Sequence, residues 1–462
     1  MFRRIPAACG ALCLSACLDL NLPQPLESED GVVRLTDEAA GYVLRSSLPS
    51  FEDRTAQMTL ADVRARDGQF MPSTNVSYGF SNQALWLRMS LDHRSARQWY
   101  LYIHFASLDQ VWIYLPESEG GYREIKSGRE LPLSAREYPH EFFVFELPPD
   151  LRPDQPVYVR IATRSTLFIP SVLVMEAEAF RRFEEAESLF FHAVLGIILG
   201  IGIYNLLLYF SIRERVYLYY VTFVFCALFF WLCLLGIAYR YLWPESPGWD
   251  ALLQIPLTIG FILSIVAFTR LYLQTPQRMP LVDRALLIAA TVYTAAAVVG
   301  FLSEDALILN VYTFLALVAL APALVAGRVA LWQGYRPAVY FVAAQLTYLM
   351  GMSVWILWFQ LILPVNDFVG SNAPLIAHAI EAVLWSLGLA DVMKEGARSQ
   401  AELKVVETEL DIAQSVQQNI LHPPTGSAPW NGMRLNITYL PMNGSVSGDY
   451  YNAAALQDGR LS

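Results

Sequence analysis

The sequence predicts a multidomain membrane protein. An all-β sandwich of short strands is followed by a seven-helix transmembrane bundle, a polar helix with a coiled-coil seam, and the opening of a further domain. Three observations predict this. Leu189 to Met393 holds 17 charged residues in 205, while the other 257 residues hold 57. Ahead of that block, apolar residues recur at period two in short runs. Inside it, seven apolar runs are each long enough to cross the ~30 Å of a hydrocarbon core as a helix. A simple soluble enzyme is excluded. A net charge of −10 with no basic stripe excludes nucleic acid as the main partner.

Residues 1–17 read as a secretion signal, with Arg3 and Arg4 ahead of a short apolar stretch from Ile5 to Leu14. Leu14-Ser15-Ala16-Cys17 resembles a bacterial lipobox, which implies cleavage before Cys17 and a lipid on its sulfur. The alternative is an ordinary signal or an uncleaved anchor that contains cysteine. Residues 18–30 are polar and contain proline, as a linker does. The cysteines are Cys9, Cys13, Cys17, Cys226 and Cys233. With none between 18 and 225, the soluble segment there holds neither a disulfide framework nor a zinc spacing.

Residues 31–178 predict the sandwich. Leu85, Leu87, Met89 and Leu91 alternate with Trp86, Arg88 and Ser90. Trp99, Leu101, Ile103 and Phe105 alternate with Tyr100, Tyr102 and His104. Val111, Ile113 and Leu115 alternate with Trp112 and Tyr114. Further strands fall near 142–147, 157–162 and 169–175, separated by turn clusters. A segment of this size buries a core unaided.

The transmembrane block spans 187–393, with apolar runs at about 189–211, 216–238, 251–270, 281–302, 306–327, 337–361 and 373–393. Ten basic residues flank the runs on one side: Arg213, Arg215, Arg270, Arg278, Arg284, Arg328, Arg336, Lys394, Arg398 and Lys404. Arg240 stands alone on the other. The positive-inside rule therefore places the N-terminus outside and the C-terminus in the cytoplasm, as the signal sequence also requires. In the last run His378 and Glu381 lie three residues apart and share a helix face. An intramembrane carboxylate is expensive and marks a signal relay or a partnered bundle contact. Asn205 in the first run has the same standing. No internal repeat and no series of buried acids suggests a pump.

Residues 394–421 predict a signalling helix. Leu403, Val406, Leu410, Ala413, Gln417 and Ile420 are spaced 3-4-3-4-3, a short heptad seam suited to a parallel homodimer or to packing on its own domain. Pro423 and Pro424 stop it. Residues 422–462 open a new domain, in which 435–439 alternate as a strand. So few residues bury no stable core alone. His422, at a helix end before two prolines, is not placed as a phospho-accepting histidine.

The order of parts resembles the bacterial seven-transmembrane receptors with diverse intracellular signalling modules (7TM-DISM). The resemblance rests on Tyr78-Gly79-Phe80, Ala84-Leu85-Trp86-Leu87-Arg88, Trp99-Tyr100-Leu101 and Tyr158-Val159-Arg160 in the first domain. In the bundle it rests on Tyr204-Asn205-Leu206-Leu207-Leu208, Tyr217-Leu218-Tyr219-Tyr220, Tyr241-Leu242-Trp243-Pro244, Glu381 and Ser386-Leu387-Gly388-Leu389-Ala390-Asp391. It implies an inner-membrane receptor whose periplasmic domain is a jelly-roll-like sandwich that senses a small molecule, with carbohydrate as the candidate class. Flat rings with polar edges suit sugar binding, and Trp86, Trp112, Tyr100 and Tyr102 fall on strands. The alternative is that the same rings pack the second face of the sandwich or its membrane-proximal surface.

Ala413 to Leu421, then Val446-Ser447-Gly448-Asp449-Tyr450-Tyr451-Asn452 and Leu456 to Leu461, resemble the opening of a SpoIIE-type (PPM) metal-dependent serine/threonine phosphatase. This implies an α/β phosphatase fragment in which Asp449 is a metal ligand for a binuclear Mn or Mg site, with a phosphorylated regulatory protein as substrate. Carboxylate oxygens suit such hard cations, and two of them activate water for phosphate ester hydrolysis. Ser447 stands where the pattern has glycine and Asn452 where it has an acid. The second acidic motif would follow Leu461, so catalysis is expected only from a completed domain. The alternative is a non-catalytic receptor whose tail docks a partner protein.

Overall fold

The computed structural model describes residues 24–25, 31–44, 48–72, 77–80, 83–117, 120–163, 166–168, 172–303, 306–359, 363 and 367–420. Two sheets form the first domain. One runs in the order β1 (Gln24–Pro25), β3 (Gly41–Val43), β14 (Val172–Glu176), β8 (Trp99–Ile103), β11 (Phe143–Leu147). The other runs β10 (Tyr122–Ser127), β9 (Gln110–Pro116), β12 (Val157–Ala162), β7 (Ala84–His93), β4 (Pro49–Asp53), β5 (Met71–Pro72), with β2 (Val32–Leu35) pairing in parallel with β7. A short pair joins β6 (Ser77–Phe80) to β13 (Thr166–Phe168).

The period-two alternation sets this packing. Leu85, Leu87, Met89 and Leu91 of β7 meet Trp99, Leu101 and Ile103 of β8 and Val111, Ile113 and Leu115 of β9 in one buried core between the sheets. Removing such a side chain from water contributes roughly 1.5–3 kcal/mol. The opposite face of β7 carries Trp86, which stacks on Tyr114 at 5.4 Å. Helix α1 (Leu60–Arg64) covers this second face. Thr59 and Asp62 form a capping box at its start. Val63, with Met58, Leu60 and Phe70, lies on Trp86, Tyr114 and Tyr158.

β14 passes without a loop into α2 (Ala177–Ile212), whose first turn is capped by the Glu176 carboxylate accepting from the Ala179 amide at 3.2 Å. The bundle continues with α3 (Arg215–Leu234), the short α4 (Ile237–Tyr241), α5 (Trp249–Tyr272), the short α6 (Thr275–Arg278), α7 (Pro280–Ser303), α8 (Ala306–Trp332), α9 (Ala338–Phe359) and α10 (Asp367–Ile420). Among the described residues, seven of these helices are long and apolar enough to cross a membrane. The first begins at Ala177, twelve residues ahead of the apolar run expected from about 189. Its opening turns are polar outside and pack through Phe180 and Phe183 onto Tyr102 of β8. The last apolar run extends as one helix to Ile420.

Candidate functional site

On the outer face of the larger sheet, strand register lines up a cross-strand row. Lys126 lies opposite Trp112, Trp112 opposite Arg160, Arg160 opposite Trp86, and Trp86 opposite Phe51. Trp112 is half-buried between two cations, with Lys126 Nζ and Arg160 Cζ each 4.6 Å from its ring centroid. Arg160 is fixed by donating to the Ala56 carbonyl at 2.7 Å. The next row holds Tyr114, Tyr158 and Arg88. The Tyr158 hydroxyl donates to Asp67 Oδ1 at 3.0 Å, and burial pushes its pKa up to about 12. Trp86 is fully buried beneath α1, so of the two tryptophans only Trp112 presents ring surface to solvent.

Tyr100 and Tyr102 face the other way, toward α2. Tyr100 is half-buried against Tyr138 and Phe180. Tyr102 is buried and donates its hydroxyl to Glu187 Oε2 at 2.9 Å. Burial, with Glu187 beside it, holds the phenol well above its ordinary pKa, so it stays a donor.

Tyr102 belongs to a buried polar joint between the sandwich and the bundle that no local sequence pattern singles out. His104 Nε2 lies 2.9 Å from Glu187 Oε1, and His140 Nε2 lies 3.3 Å from Glu184 Oε1. The Phe142 amide donates to His140 Nδ1 at 3.0 Å, which leaves the ring proton on Nε2, facing Glu184. Glu184 and Glu187 sit three residues apart, so α2 offers both from one face. Arg240 of α4 pairs with Glu141 and lies 3.7 Å from Glu184.

A second contact flanks the first. Buried Arg136 donates to the carbonyls of His140 at 2.6 Å and Gly128 at 3.0 Å, with its guanidinium between the rings of Phe143 and Tyr239. Tyr239 donates to the Leu131 carbonyl at 2.5 Å, and the Leu133 amide donates to the Pro244 carbonyl at 2.8 Å. Two glycines permit this fit. A Cβ on Gly128 (φ +145°) would sit 2.0 Å from the Asp109 carbonyl oxygen, and one on Gly236 (φ +72°) would sit 2.9 Å from Ala106. The sandwich therefore grips both the start of α2 and the connection from α3 to α5. A carboxylate pair just ahead of an apolar run, Glu184 and Glu187, was the one sequence signal for it.

Inside the bundle, His378 Nδ1 and Glu381 Oε2 meet at 3.1 Å, both nearly inaccessible. Phe223, Phe261 and Tyr348 surround the imidazole. Asn205 donates to the Ile201 carbonyl and to Ser386 Oγ, each at 2.9 Å, joining α2 to α10. Tyr220 donates to the Ala382 carbonyl at 2.5 Å. Among the described residues, no three His, Cys, Asp or Glu side chains gather to hold a metal ion. Cys17 and Asp449 lie outside the described residues.

Residues 187–392 match the family described as 7TM diverse intracellular signalling, and residues 45–175 match the family described as 7TMR-DISM extracellular 2. No curated protein matches the chain. The phosphatase resemblance within 413–461 has no counterpart among these matches. The β-sandwich, and the seven helices among the described residues that are long and apolar enough to cross a membrane, agree with the two matched domains and support a multi-pass membrane protein.

Proposed function

We propose that the chain is a bacterial inner-membrane receptor whose sandwich senses a periplasmic small molecule, of carbohydrate class, and whose bundle passes that state through α10 to a cytoplasmic serine/threonine phosphatase module. The joint carries the reading. A sensor needs a stiff connection to the helices it controls, and here histidine–carboxylate contacts, hydrogen bonds and the Arg240–Glu141 ion pair tie β8 and residues 128–142 to α2 and α4. Trp112 keeps partial exposure, and the two cations over its ring supply donors for a sugar's hydroxyls or an acidic substituent.

The orientation follows from ten basic residues against one. Cysteines placed at Asp305 and Asp367 should react with an impermeant thiol reagent added outside the cell, and cysteines at Arg278 and Arg336 should not. The reverse labelling would overturn the reading. Leu403, Val406 and Leu410 are more than half exposed on a polar stretch of α10. An apolar stripe in water calls for a partner, and a second copy of the same seam supplies one.

The phosphatase module is tested through Asp449. A carboxylate at this position would hold a Mn or Mg ion, and the substrate would be a phosphorylated regulatory protein. Manganese-dependent phosphatase activity is expected from a chain extended beyond residue 462. Asp449→Asn should remove most of it, because the amide keeps the shape and loses the charge. Full activity of the Asn variant would exclude Asp449 as a ligand.

A further inference from the structure

A groove of about 670 Å³ opens on the outer surface of the bundle between α5 and α7, lined by Leu263, Ala267, Leu287, Thr291, Ala295 and Val298 among others, with Arg270 in its wall. Helical spacing shows how it is built. On α5, Leu263, Ala267 and Arg270 follow at 4 and 3 residues, so they share one face. On α7, Arg284, Leu287, Thr291, Ala295 and Val298 follow at 3, 4, 4 and 3. Arg270 lines the groove, Arg284 lies one turn before Leu287 on the same face of α7, just outside the lining, and both arginines lie at the same end of the bundle. That end is the one the positive-inside rule assigns to the cytoplasm.

The charges at that end are unequal. Arg270 donates Nε and Nη2 to Asp283 at 2.7 and 3.1 Å, and Thr275 donates to the same carboxylate at 2.6 Å. Asp283 therefore balances one guanidinium, while Nη1 of Arg270 remains available. Arg284 is exposed and adds a second positive charge. Arg278, turned onto the Tyr335 ring, adds another to the same connection. From Leu287 to Val299 the groove runs about 18 Å along α7, enough to follow an acyl chain through one leaflet of a ~30 Å hydrocarbon core.

We infer that this groove is a binding site for an anionic phospholipid of the cytoplasmic leaflet, its acyl chain lying between α5 and α7 and its phosphate at Arg284 and Arg270. Apolar walls alone would take any lipid. The arginines at this one end select the negatively charged headgroup. Occupancy would brace α5 against α7 and make the bundle's packing depend on the membrane's anionic lipid content.

The test uses the full chain purified in detergent, titrated with phosphatidylglycerol and with phosphatidylcholine of the same acyl chains, and read by native mass spectrometry. Phosphatidylglycerol should be retained more tightly than phosphatidylcholine. Arg284→Gln should weaken phosphatidylglycerol about fivefold, the loss of one cation near a lipid surface, and leave phosphatidylcholine unchanged. Ala295→Trp points a bulky ring into the groove from an exposed position and should weaken both lipids. Equal retention of the two lipids, or an unaffected Arg284→Gln, would overturn the headgroup site. An unaffected Ala295→Trp would overturn the groove. Displacement of bound lipid by excess inorganic phosphate would assign the arginines to a free anion and overturn the lipid.

Discussion

Glu187→Ala should loosen the sandwich from the bundle and cost roughly 2–6 kcal/mol of stability, as two buried polar groups lose this acceptor at roughly 1–3 kcal/mol each. Its carboxylate side chain is only 4% exposed and holds two groups at once, the Tyr102 hydroxyl and the His104 imidazole, each at 2.9 Å. Alanine leaves both buried and facing a cavity. Tyr102→Phe removes one hydrogen bond and should cost roughly 1.5–3 kcal/mol, because its partner is charged. Glu187→Gln keeps an acceptor for Tyr102 and should fall between the two. The double variant of Tyr102→Phe with Glu187→Ala should be less destabilised than the sum of the singles, by roughly 0.5–3 kcal/mol. Thermal unfolding of the full chain in detergent reads all four. Strict additivity would mean that the joint is not a coupled unit. Intact ligand binding by Glu187→Ala, together with a lost response at the cytoplasmic end, would separate sensing from transmission.

Local periodicity made the larger features legible. Strand β7 was readable because Leu85, Leu87, Met89 and Leu91 alternate with polar and aromatic residues, and the structure buries those four between the sheets. The seven spans were readable because hydrocarbon thickness sets their length. The true start of α2 was not. Residues 177–188 carry no apolar run, and their helix rests instead on good helix formers, the Glu176 cap and the pairing of Arg181 and Arg182 with Glu178, with Phe180 and Phe183 seated on β8. Nor could the sequence divide the aromatic residues by exposure. Trp86 and Trp112 share one face of the sheet, with β12 between their strands, yet only Trp86 is fully buried beneath the segment around α1. The joint was hidden for the same reason: Tyr102 and Glu187 are 85 residues apart, and no local pattern links a strand histidine to a helix carboxylate.

His378 and Glu381 give the other large expected effect. Both were singled out in the sequence as sharing a helix face, and the structure closes them onto each other at 3.1 Å in the bundle interior. Hydrogen bonds between side chains in membrane proteins contribute only about 0.6–1.7 kcal/mol. His378→Leu should nevertheless cost about 3–5 kcal/mol, since most of the penalty comes from an acid left buried without its partner. Glu381→Leu should cost less, because the orphaned imidazole can stay neutral. Replacing both by leucine removes the polar groups together and should restore stability to near that of the parent. Reversible unfolding in mixed detergent micelles gives the three values. A double variant as unstable as the two singles combined would show that each residue answers to other partners. A stable double variant that no longer responds to ligand would show that the pair is retained for signalling, because folding alone would then be satisfied by two leucines.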